Sequence, residues 1–281
     1  MPSFYLNYDG KTHNSDKLLI SPNNRSFRYG DGCFETMKMI NGKILLRDLH
    51  FERLFSSLET LKFDIPAQLT ADALEQQVIE LARKNGHKAL ARIRLMFFRG
   101  DGGLYDDDNR PHYLVQTWQM NPAINTLNDN GLVTGIFPDA RKACDMYSPL
   151  KNNNYLCYAM AALWAKEQKL NDALVLNAYE RIADSSIANI FIVSGGVIKT
   201  PAITEGCVAG VTRRYLVQCC HAEGIPIEET SITVEDIMQA QELFLTNAGY
   251  GIRWVKSCGV NNYRLQAAKK LFNEFIHPLY K

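Results

Sequence analysis

The stretch Gln119 to Gly131, QMNPAINTLNDNG, constrains this 281-residue chain more than any other. It is polar and dense in turn formers, whereas the runs before and after it are apolar and strand-like, so it reads as a linker. It separates a smaller N-terminal part, residues 1–118, from a larger C-terminal part, residues 132–281. A chain of this length suits two domains of ordinary size better than one small core.

Within the first part, ETMKMI alternates polar and apolar residues, Asn41-Gly42 follows, and KILL returns. Asn-Gly between two such runs is a strong hairpin signal. Leu54, Phe55, Leu58 and Leu61 share one face of a helix expected over about Asp48–Leu61. A second helix is expected over Ala71–Lys84, with Thr70 as N-cap and Gly86 as a stop. ARIRLMFF and HYLVQTW read as strands, and LVTGIF opens the second part as another. SPLKNNNYL follows, and a helix is expected over about Asn154–Gln168, capped by one of Asn152 to Asn154. ALVLN, RIAD, NIFIV, VIKT and ELFLTN read as strands, with helices after Gly206, near Ile237 and from about Arg264. Strands and helices mix without strict alternation, which predicts an α/β (α+β mixed) protein of two unequal parts.

Composition removes several functions. Apolar residues are 46% of the chain, charged residues 22%, and the net charge is +1, so a core can form and no polyanionic partner is implied. We expect no nucleic-acid partner and no membrane role, since no run approaches the ~18 apolar residues of a membrane span. The N-terminal MPSFYLNYDGKTHN lacks a basic region followed by an apolar one and does not read as a signal peptide. Seven cysteines without C-x-x-C spacing suit free thiols in a reducing cytoplasm. Six scattered histidines lead us to expect no metal.

The candidate chemistry begins with Lys151. It precedes an expected helix N-terminus, whose positive end disfavours a nearby ammonium and should lower the lysine pKa. A lysine so activated can condense with a carbonyl as a Schiff base; a solvated loop charge is the plain alternative. In EGCVAGVTRRYL, Val211 and Thr212 stand where a loop becomes a helix, giving free N–H groups and a hydroxyl for a phosphate, or only a cap. In FLTNAGYG, Thr246 and Asn247 end a buried strand, to cradle an anion or simply to turn. Arg53 can supply a counter-charge or sit on a helix surface. Asp184, in ERIADSSIANIFIV, lies among apolar strands and needs a cation, unless it caps an Asx turn. An imine-forming lysine, two phosphate cradles, an arginine and a semi-buried carboxylate are the parts that hold pyridoxal 5′-phosphate.

YGDGCFETMKMINGKILLRDLHFERL, LKNNNYL, ADSSIANIFIV, GVTRRYL and ELFLTNAGYGIRWV occur in the order and spacing of the fold-type IV pyridoxal-phosphate enzymes, and over Tyr29–Val255 the chain resembles that family. The group includes branched-chain aminotransferases, D-amino-acid aminotransferases and aminodeoxychorismate lyases. The resemblance implies two α/β domains with the cofactor between them, the larger C-terminal one binding it, in a homodimer. It implies that Lys151 bonds the cofactor, and that Arg53, Val211, Thr212, Thr246 and Asn247 hold its phosphate. It implies that Tyr29 and Arg99 meet the substrate carboxylate, with Arg94 as the alternative, since a guanidinium suits that task.

One position departs from the pattern. The family normally has Glu where this chain has Asp184, five residues before Asn189. If Asp184 does not reach the pyridine nitrogen, the electron sink weakens; Glu180, expected in a hairpin turn, is the substitute. The resemblance leaves two reactions open, amino transfer to a 2-oxo acid and release of pyruvate from aminodeoxychorismate. FLTNAGYGIRWV looks more like the lyase branch, but Gly249 and Trp254 stand where the lyases commonly have other residues, and the broader aminotransferase group is preferred. A relative that binds cofactor or dimerises without turnover is the third reading, motivated by Asp184 and the Asn triplet.

Overall fold

The computed structural model describes residues 4–17 and 19–281; the first three residues of the N-terminal stretch read above lie outside the described residues. The chain forms two compact units, residues 1–122 with 150–154, and residues 123–149 with 155–281. The division at Pro122 falls inside the Gln119–Gly131 stretch, and that stretch includes a short 3-10 turn, Pro122–Asn125. The segment Leu150–Asn154 groups with the first unit, apart from the residues that flank it in sequence.

The first unit contains β1 (Tyr5–Tyr8), β2 (Lys11–Asn14), α1 (Arg25–Tyr29), β3 (Gly32–Ile40), β4 (Lys43–Ile44), α2 (Arg47–Thr60), α3 (Ala71–Lys84), β5 (Leu90–Phe98) and β6 (His112–Gln119). The strands form one antiparallel sheet in the order β2-β1-β6-β5-β3-β4. The Asn41-Gly42 turn has φ of 49° and 80°, the left-handed values that a tight hairpin demands and that Asn and Gly tolerate. The odd-numbered residues of β3 from Cys33 face the core with Ile93, Leu95, Phe97 and Val115. They pack with Leu54 and Leu58 of α2 and Leu74, Val78 and Leu81 of α3. α3 begins at Ala71 because the Thr70 side chain accepts the Ala73 N–H.

The second unit contains β7 (Leu132–Lys142), α4 (Leu156–Glu167), β8 (Asp172–Asn177), β9 (Ile182–Ser185), β10 (Asn189–Ser194), β11 (Val197–Pro201), α5 (Val211–Ala222), β12 (Ile227–Thr230), α6 (Val234–Gln239), β13 (Glu242–Asn247), β14 (Gly251–Cys258), β15 (Asn261–Asn262) and α7 (Ala267–Leu271). Its mixed sheet runs β12-β11-β10-β13-β14-β7-β8-β9, with β15 on β14. Ile190 and Ile192 of β10 pack with Ile237 of α6, while Phe191 and Val193 pack with Leu216 of α5 and Leu271 of α7. A strand covered on both faces must be apolar throughout, and this is why NIFIV and LFL carry no alternation. Phe137, Val175, Tyr158 and Ala161 form a separate cluster under α4. Among the described residues no helix is long and apolar enough to cross a membrane.

Two expectations need correction. α4 starts at Leu156 with Tyr155 as N-cap and no side-chain cap, so none of the three asparagines caps it. The C-terminal helix is short, Ala267–Leu271, and continues as a wider turn over Phe272–Ile276 and a 3-10 turn over His277–Tyr280, where Pro278 cannot extend an α-helix.

Leu58 has no solvent exposure and lies at the centre of the first unit's core. Leu58→Ala should therefore lower the unfolding free energy by about 2–5 kcal/mol, through lost burial and the cavity left behind. Urea unfolding followed by far-UV circular dichroism measures this, and a loss under ~1 kcal/mol would contradict the packing described.

Candidate functional site

In the first unit, the lysine segment is pinned to the open edge at the start of β3. The Phe34 N–H donates to the Lys151 carbonyl at 2.9 Å, the Asn153 N–H donates to Gly32 O at 3.0 Å, and Cys33 and Asn152 form an antiparallel bridge. A Cβ at Gly32 would collide with the Phe97 carbonyl, so only glycine lets β3 and β5 approach here. Asn153 Nδ2 also donates to Ser26 Oγ at 3.0 Å. The asparagines thus seat the lysine against β3, in place of the helix-capping role expected of them.

Lys151 Nζ lies 4.8 Å from the centroid of the buried Phe34 ring, and the Arg94 guanidinium lies 3.9 Å from the same centroid. Phe34 and Arg94 sit on the sheet face opposite α2 and α3, because even positions of β3 and β5 point away from the core. On the helix-covered face, Glu35 receives Arg53 in a bidentate grip, Nε to Oε1 at 2.7 Å and Nη2 to Oε2 at 2.6 Å. His50 Nδ1 lies 2.7 Å from Glu35 Oε2. Burial alone would raise the Glu35 carboxyl, but Arg53 and His50 pull it down to about 2. Burial holds the His50 pKa below its ordinary value, so the ring is neutral at pH 7 and donates to Glu35.

In the second unit, Asp184 is buried on β9 and its carboxylate receives four donors. Oδ1 accepts Asn189 Nδ2 at 2.8 Å. Oδ2 accepts the Tyr158 hydroxyl at 2.7 Å, the Val208 N–H at 2.9 Å and Lys142 Nζ at 3.2 Å. Burial, with Asp184 alongside, raises the Tyr158 pKa well above its ordinary value, so the hydroxyl keeps its proton and donates. A carboxylate offers about four acceptor positions, two per oxygen; Oδ2 is filled and Oδ1 retains one.

α5 begins at Val211 after Gly210, which makes no side-chain cap, and both Val211 and Thr212 are buried. The first N–H groups of such a helix need an outside acceptor. A Cβ at Gly210 would collide with Asn189 Oδ1, so glycine is required and Asn189 ties the Asp184 carboxylate to the start of α5. Thr246 pairs with Asn189 across β13 and β10, and its buried Oγ1 has no hydrogen-bond partner among the described residues. A buried hydroxyl left in that state is costly and signals a missing polar group.

The remaining expected residues are placed differently. Asn247 turns its side chain onto its own loop, where Oδ1 accepts the Gly249 and Tyr250 N–H groups at 2.9 and 3.1 Å. Arg99 is buried and committed to Asp31, Asn109 and the carbonyls of Leu61 and Lys62, over the Phe63 ring. It closes the end of α2. Tyr29 ends α1, half-buried, with the Arg28 guanidinium 5.0 Å from its ring centroid. Glu180 occupies the β8–β9 turn at φ 58° and pairs with Arg141 at 2.7 Å. It is exposed and bound elsewhere, so it does not stand in for Asp184.

Glu35, His50, Lys142 and Tyr158 were not singled out from the sequence. His50 and Arg53 are three apart on a helix and so share a face, and that spacing was the available signal for a common partner. Lys142 and Tyr158 had none, because their meeting at Asp184 depends on strand pairing and on where α4 packs.

Known proteins resemble this chain over most of its length. The family model for class IV amino-transferases matches residues 32–258. A Methanocaldococcus jannaschii protein provisionally named a branched-chain-amino-acid aminotransferase is 31% identical over 246 residues, covering 86% of this chain and 83% of its own. An aminodeoxychorismate lyase of Vibrio harveyi is 26% identical over 253 residues, covering 89% of each. The crystal structure of the branched-chain aminotransferase of Thermoproteus uzoniensis with norvaline superposes with a TM-score of 0.89 at 26% identity, covering 99% of this chain and 95% of that one.

The Glu35 cluster has a pH signature. Its folded pKa is depressed from 4.5 to about 2, so its contribution is complete above pH 4.5 and is lost as pH falls through about 2. Glu35→Gln should destabilise the protein at pH 7 by roughly 3 kcal/mol, since it leaves Arg53 without its buried counter-charge. It should also flatten the fall in stability between pH 4.5 and 2. Denaturant midpoints measured across pH test both, and an unchanged acid slope in the variant would assign that slope to another carboxylate.

Proposed function

Because the chain belongs to the class IV aminotransferase family, we propose that it is a pyridoxal-phosphate-dependent aminotransferase moving an amino group between an amino acid of the branched-chain or D-amino-acid type and a 2-oxo acid. The family implies the cofactor, and three features fit it: the orphaned buried Thr246 hydroxyl, the uncapped start of α5, and the acceptor position left on Asp184 Oδ1. Pyridoxal phosphate, when bound, supplies an aldehyde that bonds amines and a pyridinium ring that takes up an electron pair. On this reading the N–H groups of Val211 and Thr212, the Thr246 hydroxyl and Arg53 hold the phosphate. Asp184 Oδ1 accepts the ring nitrogen. Asn247 shapes the neighbouring loop through its side-chain oxygen, which accepts the Gly249 and Tyr250 N–H groups, and leaves its backbone to meet the phosphate.

Lys151 would hold the cofactor covalently, and its Nζ, when uncharged, would take the proton from the substrate α-carbon. The observation that carries the reading is the shared Phe34 ring. The Lys151 amine and the Arg94 guanidinium lie 4.8 and 3.9 Å from its centroid, which supports their serving one substrate. Arg94 grips the α-carboxylate and the amino group is left beside Lys151, while Phe34 and the partly buried Met96 opposite it give an apolar wall. Tyr29 is a further candidate for the carboxylate.

The Methanocaldococcus jannaschii relative favours a branched-chain substrate. The Vibrio harveyi relative supports a second reading, release of pyruvate from aminodeoxychorismate. Leu156, Met160 and Leu163 form an exposed apolar stripe on α4, a surface that supports the expected homodimer.

The protein incubated with pyridoxal phosphate and reduced with borohydride should carry the cofactor on Lys151, located by peptide mass spectrometry. Lys151→Ala should lose the label and roughly a thousandfold or more in kcat. Label elsewhere, or none, would end this reading. Branched-chain L-amino acids and D-alanine, each with 2-oxoglutarate, and aminodeoxychorismate alone should be assayed in parallel. Arg94→Met should raise KM for the preferred amino acid, and Arg99→Met should chiefly lower stability; the reverse pattern would return the carboxylate to Arg99.

A further inference from the structure

Lys142 was assigned no role by the sequence or by the reading above, yet it is a lysine with a largely buried side chain. It is the last residue of β7, and its neighbour Arg141 points the other way, to the exposed Glu180. Between Ile136 and Arg141 the β7–β8 register slips: those residues are five apart on β7, and their partners Leu174 and Leu176 are two apart on β8. Such an irregularity re-aims the side chains that follow it. The re-aimed Lys142 Nζ lies 3.2 Å from Asp184 Oδ2 and 5.1 Å from the centroid of the Tyr158 ring, with 12% and 3% of the lysine and aspartate side chains exposed.

Asp184 already has three neutral donors, Tyr158, Val208 and Asn189. Tyr158 and Val208 already fill Oδ2, so a third donor on that oxygen is not needed, and bringing an ammonium into this site carries a desolvation cost. What the ammonium adds is charge. We infer that Lys142 is a positioning residue, the standing counter-charge of Asp184, which pairs with the carboxylate without cofactor and competes with the cofactor ring nitrogen for it once cofactor is bound. The inference rests on the reading of Asp184 as the ring-nitrogen partner. Two cations on one buried carboxylate oppose each other, so each weakens the hold on the other. Lys142 on Oδ2 thus tempers how firmly Oδ1 keeps the ring proton, and the short aspartate allows this because the β7 irregularity delivers the ammonium to its far oxygen.

The test compares two probes, pyridoxal 5′-phosphate and 1-deazapyridoxal 5′-phosphate, in which carbon replaces the ring nitrogen. Affinity for each is measured by absorbance titration of the wild type, Lys142→Met and Lys142→Arg. In Lys142→Met only a ring cation can replace the lost ammonium, so the preference for the natural probe should rise by about tenfold or more. The variant without cofactor should melt at a lower temperature and be restored more by the natural probe than by the deaza probe. Lys142→Arg should keep the wild-type preference. An unchanged preference in Lys142→Met, with the natural probe still reducible onto Lys151, overturns the inference and leaves the functional reading intact. A raised preference in Lys142→Arg also overturns it, because charge would then not be the cause. If the wild type itself takes up neither probe, the functional reading fails and the inference fails with it. Should Lys142→Met not fold, Lys142→Gln is measured in the same way.

Discussion

The Asp184 carboxylate governs the second unit, because a buried negative charge has few ways to exist. A charge left alone in an apolar setting is costly, so it needs donors or a counter-charge. Here the backbone N–H of Val208, the Tyr158 hydroxyl, the Asn189 amide and the Lys142 ammonium converge on it. Each comes from a different element: the loop before α5, α4, β10 and β7. The carboxylate therefore fixes how four pieces of the unit meet. Asn189 extends the arrangement to Gly210, where only the absence of a side chain allows α5 to begin so close. A change of one atom at position 184 or 210 is transmitted to the N–H groups expected to meet a phosphate.

The first unit solves a parallel problem with Glu35. That carboxylate is also buried, but its counter-charge is a bidentate guanidinium, and a neutral histidine fills the remaining position. The bond geometry fixes the plane of the Arg53 guanidinium. Arg53 is thus presented by the sheet as much as by its own helix. Glu35 holds it from β3, the same strand whose open edge receives the Lys151 segment. One strand positions both, the arginine through Glu35 and the lysine segment through its open edge.

Much of this was legible in the sequence, and the reasons are specific. The Asn41-Gly42 hairpin, the Thr70 cap and the fully apolar strands follow from local rules that tertiary packing reinforced. Lys151, Asp184, Thr212 and Thr246 stand out as candidates because several weak signals occur in an order that one cofactor explains. The failures are of another kind. The asparagines after Lys151 were read as a helix cap because Asn is the commonest cap. They instead serve a strand edge some 120 residues away in sequence, and no local rule reaches that far. Lys142 was invisible because a strand irregularity sets its direction. At Asn247 an Asx turn occupies the side-chain oxygen, so a contact with an anion there falls to the backbone of the Thr246–Asn247 turn.

The contrast between Arg94 and Arg99 shows where strand reading carries further than motif reading. The two lie five residues apart, so on a continuous strand they would face opposite sides. β5 pairs with β3 from Leu90 to Phe98, and on it Ile93, Leu95 and Phe97 point to the core. Arg94 must then point away from the core, to the face that holds Phe34. Arg99 falls just past the end of the strand, beside the core face, where it meets the α2 carbonyls and Phe63. Motif position favoured Arg99 for the substrate carboxylate; alternation counted from the buried residues favours Arg94. A guanidinium already bound to a carboxylate, an amide and two carbonyls has too few N–H groups left for a bidentate grip. The arginine on the face shared with the lysine is the one whose loss should be felt in substrate binding.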